Sequence, residues 1–310
     1  MEDEMYMRRC LQLAKNGLGR VAPNPMVGAV VVCDHRIIGE GYHIYYGGAH
    51  AEVNAIRSVK DATLLKRSTI YVTLEPCAHY GKTPPCADLI IDRQIPRVVV
   101  GCRDPFDQVD GRGIEKLRAA GCEVTVGVLE AECRALNRSF ITFHTRKRPY
   151  VTLKWAESAD GFVDRLRRSA DDGEPARLST PLTTMLVHKR RAEHAAIMVG
   201  ARTALLDRPQ LTVRYWAGGS PVKVVADSSR PLSQWLHELY EQNIQSVLVE
   251  GGSRLLQAFI DGGVWDEAWV EESATMLGGG VKTPAIQGAY ESEQHFGINF
   301  RHYRNEADFN

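Results

Sequence analysis

The 310-residue chain has no excess of charge of either sign, because 38 Lys and Arg residues balance 38 Asp and Glu residues. Such a surface offers no strong field to nucleic acid or to an anionic membrane, so we expect neither as a partner. The chain also lacks an apolar run near the roughly 20 residues that a membrane-spanning helix needs. Its acidic start, residues 1–4, is not followed by the apolar stretch of a secretory signal. These absences predict a cytoplasmic protein.

Cysteine, by contrast, is present seven times. An odd number of cysteines without a secretory signal favours reduced thiols over a disulfide framework. The length and the 44% apolar content suffice for two domains, each with its own core. The basic segment Arg146-Lys147-Arg148-Pro149 is typical of a linker, so we predict domains at residues 1–145 and 149–310.

The stretch from His50 to Cys86 carries the most specific chemistry. His50, Cys77 and Cys86 supply one imidazole and two thiolates, three of the four ligands of tetrahedral zinc, and leave the fourth position for water, as catalytic sites do. Glu52, two residues after His50, is placed to carry a proton from that water to a leaving group. Zinc nucleobase deaminases show this pattern as His-x-Glu and Pro-Cys-x-x-Cys. Here eight residues separate the two cysteines.

Four other interpretations of these residues stay open. The cysteines could be ordinary buried thiols, with His50 at a helix start. The site could be a closed structural zinc site with His79 or Cys33 as fourth ligand. It could belong to a non-enzymatic zinc module, in which Glu52 would have no role. A nucleic-acid deaminase would need a basic face and the short cysteine spacing, and this chain has neither.

Hydrophobic periodicity and turn residues predict alternating strands and helices in both halves. The alternation indicates an α/β fold with a mixed sheet between layers of helices. In the first half, the predicted strands cover residues 28–33, 36–41, 69–74, 97–102 and 123–128, and the helices cover 3–16, 50–59, 86–93, 113–120 and 130–140. In the second half, the strands cover 150–155, 196–200, 222–227 and 246–250, and the helices cover 180–193, 232–242 and 253–261.

Two local features of this pattern bear on ligand binding. The helices that start near His50 and Cys86 should converge on the metal, where their positive ends favour thiolate. The pair Gly251-Gly252, between a strand and a helix, would let a phosphate approach backbone N–H groups.

Specific motifs extend over nearly the whole chain. In the first half they are residues 23–28, His50-Ala51-Glu52 and residues 73–86, which include the long cysteine spacing. In the second half they are residues 150–154, 158–161, 199–203, 206–214, 227–228, 249–252 and 277–279. With these motifs the chain resembles the bifunctional deaminase-reductase family of riboflavin biosynthesis.

The resemblance implies an N-terminal domain of the three-layer α/β/α cytidine deaminase fold. That domain would deaminate a diaminopyrimidinone bearing a phosphoribosylamino group. His50, Cys77 and Cys86 would hold Zn²⁺, and Glu52 would be the catalytic proton carrier. Asn24 would contact the pyrimidine, and His79 and Lys82 the ring or the phosphate. The family resemblance also suggests a dimer or a larger homo-oligomer.

The resemblance further implies a C-terminal α/β domain similar to dihydrofolate reductase, which would use NADPH to reduce the ribosyl group to ribityl. The residues implied to contact NADPH are Ala156, Thr203, Asp207, Ser228 and Gly252. The residues implied to hold the phosphoribosyl substrate are Lys154, Arg191, Leu211, Arg214 and Glu250. Arg191 and Arg214 suit a phosphate because a guanidinium meets it with two parallel hydrogen bonds. Asp207 and Glu250 are candidates for a catalytic base.

The second half departs from the family at two places. Arg177-Leu178-Ser179 stands where the family usually has Trp-Ile-Thr, after a longer charged loop. The segment between Ser228 and Glu250 is short and could trim the adenosine side of the cofactor site. An alternative is therefore a deaminase whose second domain serves only as a dimerisation scaffold.

Replacing Glu52 with Gln tests the catalytic assignment. The amide keeps the size of the side chain but cannot carry a proton, so we expect deamination to fall at least about a hundredfold while zinc is retained. Ammonia release and zinc content, measured on the same preparation, check this. Unchanged turnover would refute a catalytic role for Glu52.

Overall fold

The computed structural model describes residues 2–80, 84–106 and 110–305. The chain divides into two compact units, Met1–Lys147 and Arg148–Asn310, which meet within the basic segment singled out above. Within the described ranges, no helix combines the length and the apolar character needed to cross a membrane.

In the part of the first unit that the structure describes, five strands form the framework. The strands are β1 (Gly28–Cys33), β2 (Arg36–Tyr42), β3 (Thr69–Leu74), β4 (Arg97–Cys102) and β5 (Glu123–Val126). The α-helices are α1 (Glu2–Ala14), α2 (Ala51–Ser58), α3 (Cys86–Asp92), α4 (Arg112–Ala119), α5 (Glu130–Leu136) and α6 (Arg138–Arg146). Short 3₁₀ turns cover Lys15–Gly17 and Ala62–Arg67.

The strands form one mixed sheet in the order β2-β1-β3-β4-β5. β1 is antiparallel to β2 and β3, whereas β3, β4 and β5 are parallel. Alternate β1 residues point to opposite faces: Val31 packs in a core with α2 and α3, and Val30 in a core with α1. Helices on both faces give the expected three-layer α/β/α arrangement.

The predicted helix over residues 130–140 is wrong, since two helices, α5 and α6, replace it. Asn137 interrupts the helix with φ −112° and ψ 25°. Its side-chain amide donates to the carbonyl oxygen of Met26 and accepts from the N–H of Met26, both at 2.8 Å. A tertiary contact with a residue 111 positions away therefore ends the helix.

The described residues of the second unit form nine strands, β6 to β14. They are β6 (Tyr150–Glu157), β7 (Phe162–Asp164), β8 (Ala196–Gly200), β9 (Val222–Ala226), β10 (Ser246–Gly251), β11 (Glu267–Glu272), β12 (Val281–Lys282), β13 (Tyr290–His295) and β14 (Ile298–Arg304). The helices are α7 (Pro181–Glu193), α8 (Ala201–Asp207), α9 (Leu232–Glu241) and α10 (Ser253–Asp261). β7, α8 and the strands from β11 onward were not predicted from the sequence.

The main sheet of this unit has the order β13-β14-β11-β6-β10-β8-β9. Its five strands from β11 to β9 are parallel, and β14 and β13 are added in antiparallel fashion. One face packs against α9 and α10 through a large apolar core that includes Trp235 and Phe259. β7 and β12 form a separate two-stranded sheet.

A buried carboxylate anchors the start of α4 in the first unit. Glu75, directly after β3, is 4% exposed. Its oxygens accept from the backbone N–H groups of Gly111 at 3.0 Å, Gly113 at 2.9 Å and Ile114 at 3.2 Å. These N–H groups lie at a helix N-terminus and have no partner within the helix. Glu75 thus fixes the chain that leads to Cys77.

Replacing Glu75 with Gln should destabilise the first unit by about 3 kcal/mol, because it removes charge-assisted hydrogen bonds to buried donors. The matched control is Glu123→Gln, whose side chain is 72% exposed and which should change stability by less than about 0.5 kcal/mol. All five tryptophans lie in the second unit. We therefore expect denaturant unfolding followed by far-UV circular dichroism to shift while the tryptophan fluorescence transition stays in place. Equal behaviour of the two variants would contradict this role.

Candidate functional sites

Three predicted metal ligands come together in the first unit. His50 is the N-cap residue of α2, Cys77 follows β3, and Cys86 is the first residue of α3. The Nδ1 atom of His50 lies 3.6 Å from Sγ of Cys77 and 3.3 Å from Sγ of Cys86. The predicted convergence of two helix starts is confirmed.

The spacing of these donor atoms fits zinc. Zn–S bonds of about 2.3 Å and Zn–N bonds of about 2.0 Å at tetrahedral angles separate the nitrogen and the sulfur by about 3.6 Å. Among the described residues, neither Cys33 nor His79 belongs to the group of donor atoms within 4.8 Å of one another. The donor set is therefore one imidazole and two sulfurs, and the structure offers no support for a fourth ligand from these two residues.

Backbone geometry and charge prepare the sulfurs for a metal. The N–H of Cys86, at the start of α3, donates to Sγ of Cys77 at 3.3 Å. Hydrogen bonds from the Cys86 thiol and from His50 lower the pKa of Cys77 to about 4. A thiolate is the form of cysteine that binds metal.

Glu52 lies on the first turn of α2 and is 3% exposed. Burial raises the pKa of Glu52 to about 7, and the nearby charge of His50 opposes this rise. A carboxyl group with such a pKa can both accept and release a proton near neutral pH.

Asn24 is oriented by His43, a residue that was not predicted from the sequence. Nδ1 of His43 lies 3.0 Å from the carbonyl oxygen of Ala49, so this nitrogen carries the ring proton and donates it. Nε2 of His43 must then accept from the amide nitrogen of Asn24 at 3.2 Å. The amide oxygen of Asn24 is left as an acceptor for a ligand. No motif marks His43, because its role depends on the pairing of β1 with β2.

The other two predicted deaminase residues are less defined. The ring of His79 meets that of Phe106 edge to face at 6.1 Å. Its buried Nδ1 has no hydrogen-bond partner within the described part of the chain. Lys82 lies outside the described residues.

In the second unit, the predicted cofactor residues lie at the carboxyl ends of parallel strands. Ala156 lies near the end of β6, and Ser228 follows β9. Thr203 is on α8, which follows β8, and Gly252 follows β10. Because β6, β8, β9 and β10 are parallel, these ends share one edge of the sheet, where open α/β sheets bind ligands.

The glycine pair at this edge packs closely against Thr203. Gly252 has φ +79°, a left-handed conformation that favours glycine, and it precedes the nine-residue helix α10. A Cβ atom on Gly252 would lie 3.1 Å from Oγ1 of Thr203, and one on Gly251 would lie 3.0 Å from Cγ2 of Thr203. Thr203 thus packs directly against the Gly251-Gly252 turn, and this close approach favours glycine at both positions.

Asp207, at the end of α8, is held by an arginine that the sequence analysis did not consider. The buried Arg167 guanidinium bridges Asp207 and Asp164. Arg202 of α8 also donates to the carbonyl oxygen of Arg167 at 2.7 Å. The charged loop that contains Arg167 is therefore bound to α8 through Asp207 and Arg202.

Three of the predicted substrate residues, Arg191, Glu250 and Arg214, are linked through hydrogen bonds. Nε and Nη2 of Arg191 donate to the two oxygens of Glu250 at 2.8 and 2.5 Å. Nη1 of Arg191 donates to the carbonyl oxygen of Thr212 at 3.2 Å, and the Thr212 hydroxyl accepts from Arg214 at 2.8 Å. The guanidinium of Arg191 is thus occupied by protein groups, whereas Arg214 is exposed.

Leu211 and Lys154 complete the predicted set. Leu211 is buried with φ +54° and packs against Ile197 and Val199. Lys154, on β6, lies 3.6 Å from a carboxylate oxygen of Glu271.

Comparison with known families matches both units. Residues 1–102 match the family described as the cytidine and deoxycytidylate deaminase zinc-binding region. Residues 149–235 and 231–302 match the RibD C-terminal domain in two pieces. The pieces meet at residues 231–235, within the short segment between Ser228 and Glu250.

Relatives and solved structures cover nearly the whole chain. The riboflavin biosynthesis protein RibD of Actinobacillus pleuropneumoniae is 37% identical over 92% of this chain and 87% of its own. That of Aquifex aeolicus is 38% identical over 90% and 89%. The crystal structure of a diaminohydroxyphosphoribosylaminopyrimidine deaminase/5-amino-6-(5-phosphoribosylamino)uracil reductase from Thermotoga maritima superposes with a TM-score of 0.86 at 38% identity, covering 98% of each chain. Acinetobacter baumannii RibD gives a TM-score of 0.87 at 31% identity, covering 97% and 98%.

The donor geometry predicts one zinc ion per chain at this cluster. Cys77→Ser and Cys86→Ser should each lose most of the bound zinc, because serine is a poor zinc ligand at neutral pH. Cys122→Ser, which changes a thiol outside the cluster, should keep it. Metal analysis after dialysis measures the stoichiometry. Full zinc occupancy in both cluster variants would place the metal elsewhere.

Proposed function

This chain belongs to the RibD family and is a bifunctional enzyme of riboflavin biosynthesis that uses Zn²⁺ and NADPH, and we propose that its two units divide the activities. In this proposal, Met1–Lys147 is the deaminase and Arg148–Asn310 is the reductase. The observation that carries the first assignment is the cluster of His50 Nδ1 with two sulfurs at 3.3 and 3.6 Å.

In the deaminase unit, we assign the zinc ligands to His50, Cys77 and Cys86. Zinc, when bound, supplies an activated water for hydrolysis. Glu52 takes up a proton at its carboxylate and returns it to the departing amine. Its burial supports this role, because an unshifted glutamate would hold too few protons near neutral pH to act as an acid.

The proposed substrate is a diaminopyrimidinone that bears a phosphoribosylamino group. Asn24, fixed by His43, accepts from a ring N–H or amine with its amide oxygen. His79 and Lys82 contact the ring or the phosphate. A chain without net charge, whose metal cluster is compact and partly buried, suits this small molecule better than a nucleic acid.

In the reductase unit, we assign NADPH to the sheet edge formed by Ala156, Thr203, Asp207, Ser228 and Gly252. NADPH, when bound, supplies the hydride. Thr203 and the Gly251-Gly252 turn position its phosphates, and α10 adds the positive end of its dipole. Arg167 is ion-paired with Asp207, and we assign this carboxylate to orienting the cofactor.

The phosphoribosyl substrate is assigned to Lys154, Leu211, Arg214, Arg191 and Glu250. The exposed Arg214 binds the phosphate directly. Arg191 donates to Glu250 and to the Thr212 carbonyl oxygen, so it positions these groups and does not itself bind the phosphate. Glu250, ion-paired with Arg191, is then a hydrogen-bond acceptor for the sugar hydroxyls.

The family assignment disfavours the alternative of a scaffold-only second domain, since the Thermotoga maritima structure, which covers 98% of this chain, carries both activities in its name. We further propose a homo-oligomer, a dimer or more, in a reducing, cytoplasmic setting. All seven cysteines are free thiols, as expected for that compartment.

A coupled assay tests the proposal. We expect the zinc-loaded chain to release ammonia from the diaminopyrimidine substrate and to oxidise one equivalent of NADPH per ammonia. The control is Glu52→Gln, which should oxidise NADPH only when given the already deaminated pyrimidine. Ammonia release without NADPH oxidation by the wild-type chain would refute the reductase assignment.

A further inference from the structure

A fully buried carboxylate lies beside Lys154 in the second unit. Glu271 is on β11, which pairs with β6, and it is 0% exposed. Its Oε2 lies 3.6 Å from Nζ of Lys154, whose side chain is 12% exposed. No sequence motif marks Glu271, because β11 lies more than 110 residues further along the chain.

Two hydroxyl groups fix the Glu271 carboxylate. Ser179 donates to Oε2 at 2.6 Å, and Thr183 donates to Oε1 at 2.5 Å. Thr183 also accepts from the N–H of Thr180 at 2.9 Å in the capping box of α7. Its hydroxyl has two acceptors within reach, the carbonyl oxygen of Thr180 at 3.2 Å and the closer Oε1 of Glu271. The carboxylate cannot rotate away from Lys154 without losing both hydrogen bonds.

The neighbouring strand shows why Glu271 is the partner of Lys154. β6 lies between β10 and β11 in the sheet. The Glu250 carboxylate on β10 is occupied at both oxygens by Arg191. Glu271, on the other side, is the carboxylate that meets the ammonium group.

A buried ion pair of this kind is a poor source of stability, because desolvation of the two charges offsets their attraction. It does restrict the long lysine side chain, which otherwise samples many rotamers. The Lys154 side chain as a whole keeps an exposed fraction of 12%, through which a ligand can approach it.

We propose that Glu271 is a positioning residue of the reductase site, which holds the Lys154 ammonium in place for the phosphoribosylamino substrate. This inference rests on the proposed reductase function. Ser179 and Thr183 act through Glu271, so the start of α7 sets the position of Lys154.

The test compares Glu271→Gln with Glu272→Gln in the full zinc-loaded chain. Glu272 is the next residue on β11, points to the opposite face and pairs with Arg301 at 2.8 Å. For Glu271→Gln we expect kcat/KM for the deaminated pyrimidine to fall at least about tenfold, since small displacements of a positioning group cost up to about a hundredfold. The KM for NADPH and the deaminase rate should not change. Glu272→Gln should match the wild type.

A double-mutant cycle separates positioning from general packing. If Glu271 acts through Lys154, Glu271→Gln should weaken binding of the deaminated pyrimidine in the wild-type background and have no further effect in Lys154→Met. Should Glu271→Gln fail to fold, Ser179→Ala, which keeps the carboxylate and removes one of its donors, should show a smaller loss in the same direction.

Three results would overturn the inference. The first is a Glu271→Gln protein, or in its place a Ser179→Ala protein, with reductase kinetics equal to those of Glu272→Gln. The second is additive effects of Glu271→Gln and Lys154→Met. The third is a wild-type chain that does not oxidise NADPH with the deaminated pyrimidine, which overturns the reductase assignment as well.

Discussion

The antiparallel pairing of β1 with both β2 and β3 is the constraint on which the deaminase site depends. Gly28 at the start of β1 pairs with Tyr42 at the end of β2, and Ala29 pairs with Val72 near the end of β3. The entry to β1 and the exits of β2 and β3 therefore meet at one edge of the sheet. This pairing brings together three residues that lie just beyond these strand ends: Asn24 before β1, His43 after β2 and Cys77 after β3.

In the second unit, strand pairing again brings the proposed residues together. The carboxyl ends of its parallel strands place the proposed cofactor residues at one edge of the sheet. What differs is the charge on the face that α7 covers. Lys154 and Arg191 each meet a carboxylate that is shielded from water, Glu271 and Glu250. Such pairs contribute little net stability. They do fix donors and acceptors in direction, which a site for a polar phosphoribosyl group requires.

Local sequence predicted most elements where the local signal and the tertiary packing agree. The strands at 28–33, 69–74, 97–102 and 196–200 and the helix at 253–261 are confirmed to the residue. The prediction failed where a distant contact decides the backbone, as at Asn137, whose bonds to Met26 divide one apparent helix into two. The strands β11, β13 and β14 were missed because charged and polar residues interrupt the alternation that marks a strand.

The sequence by itself predicted the metal donor set of His50, Cys77 and Cys86 and the neighbouring proton carrier Glu52, since these residues carry their chemistry in their side chains and their spacing. It also determined the alternation of strands and helices, because hydrophobic periodicity is local. Only the tertiary structure decided which residues orient Asn24 and Lys154. His43 and Glu271 act through strand pairing between segments distant in the chain, and that pairing depends on packing across the whole sheet.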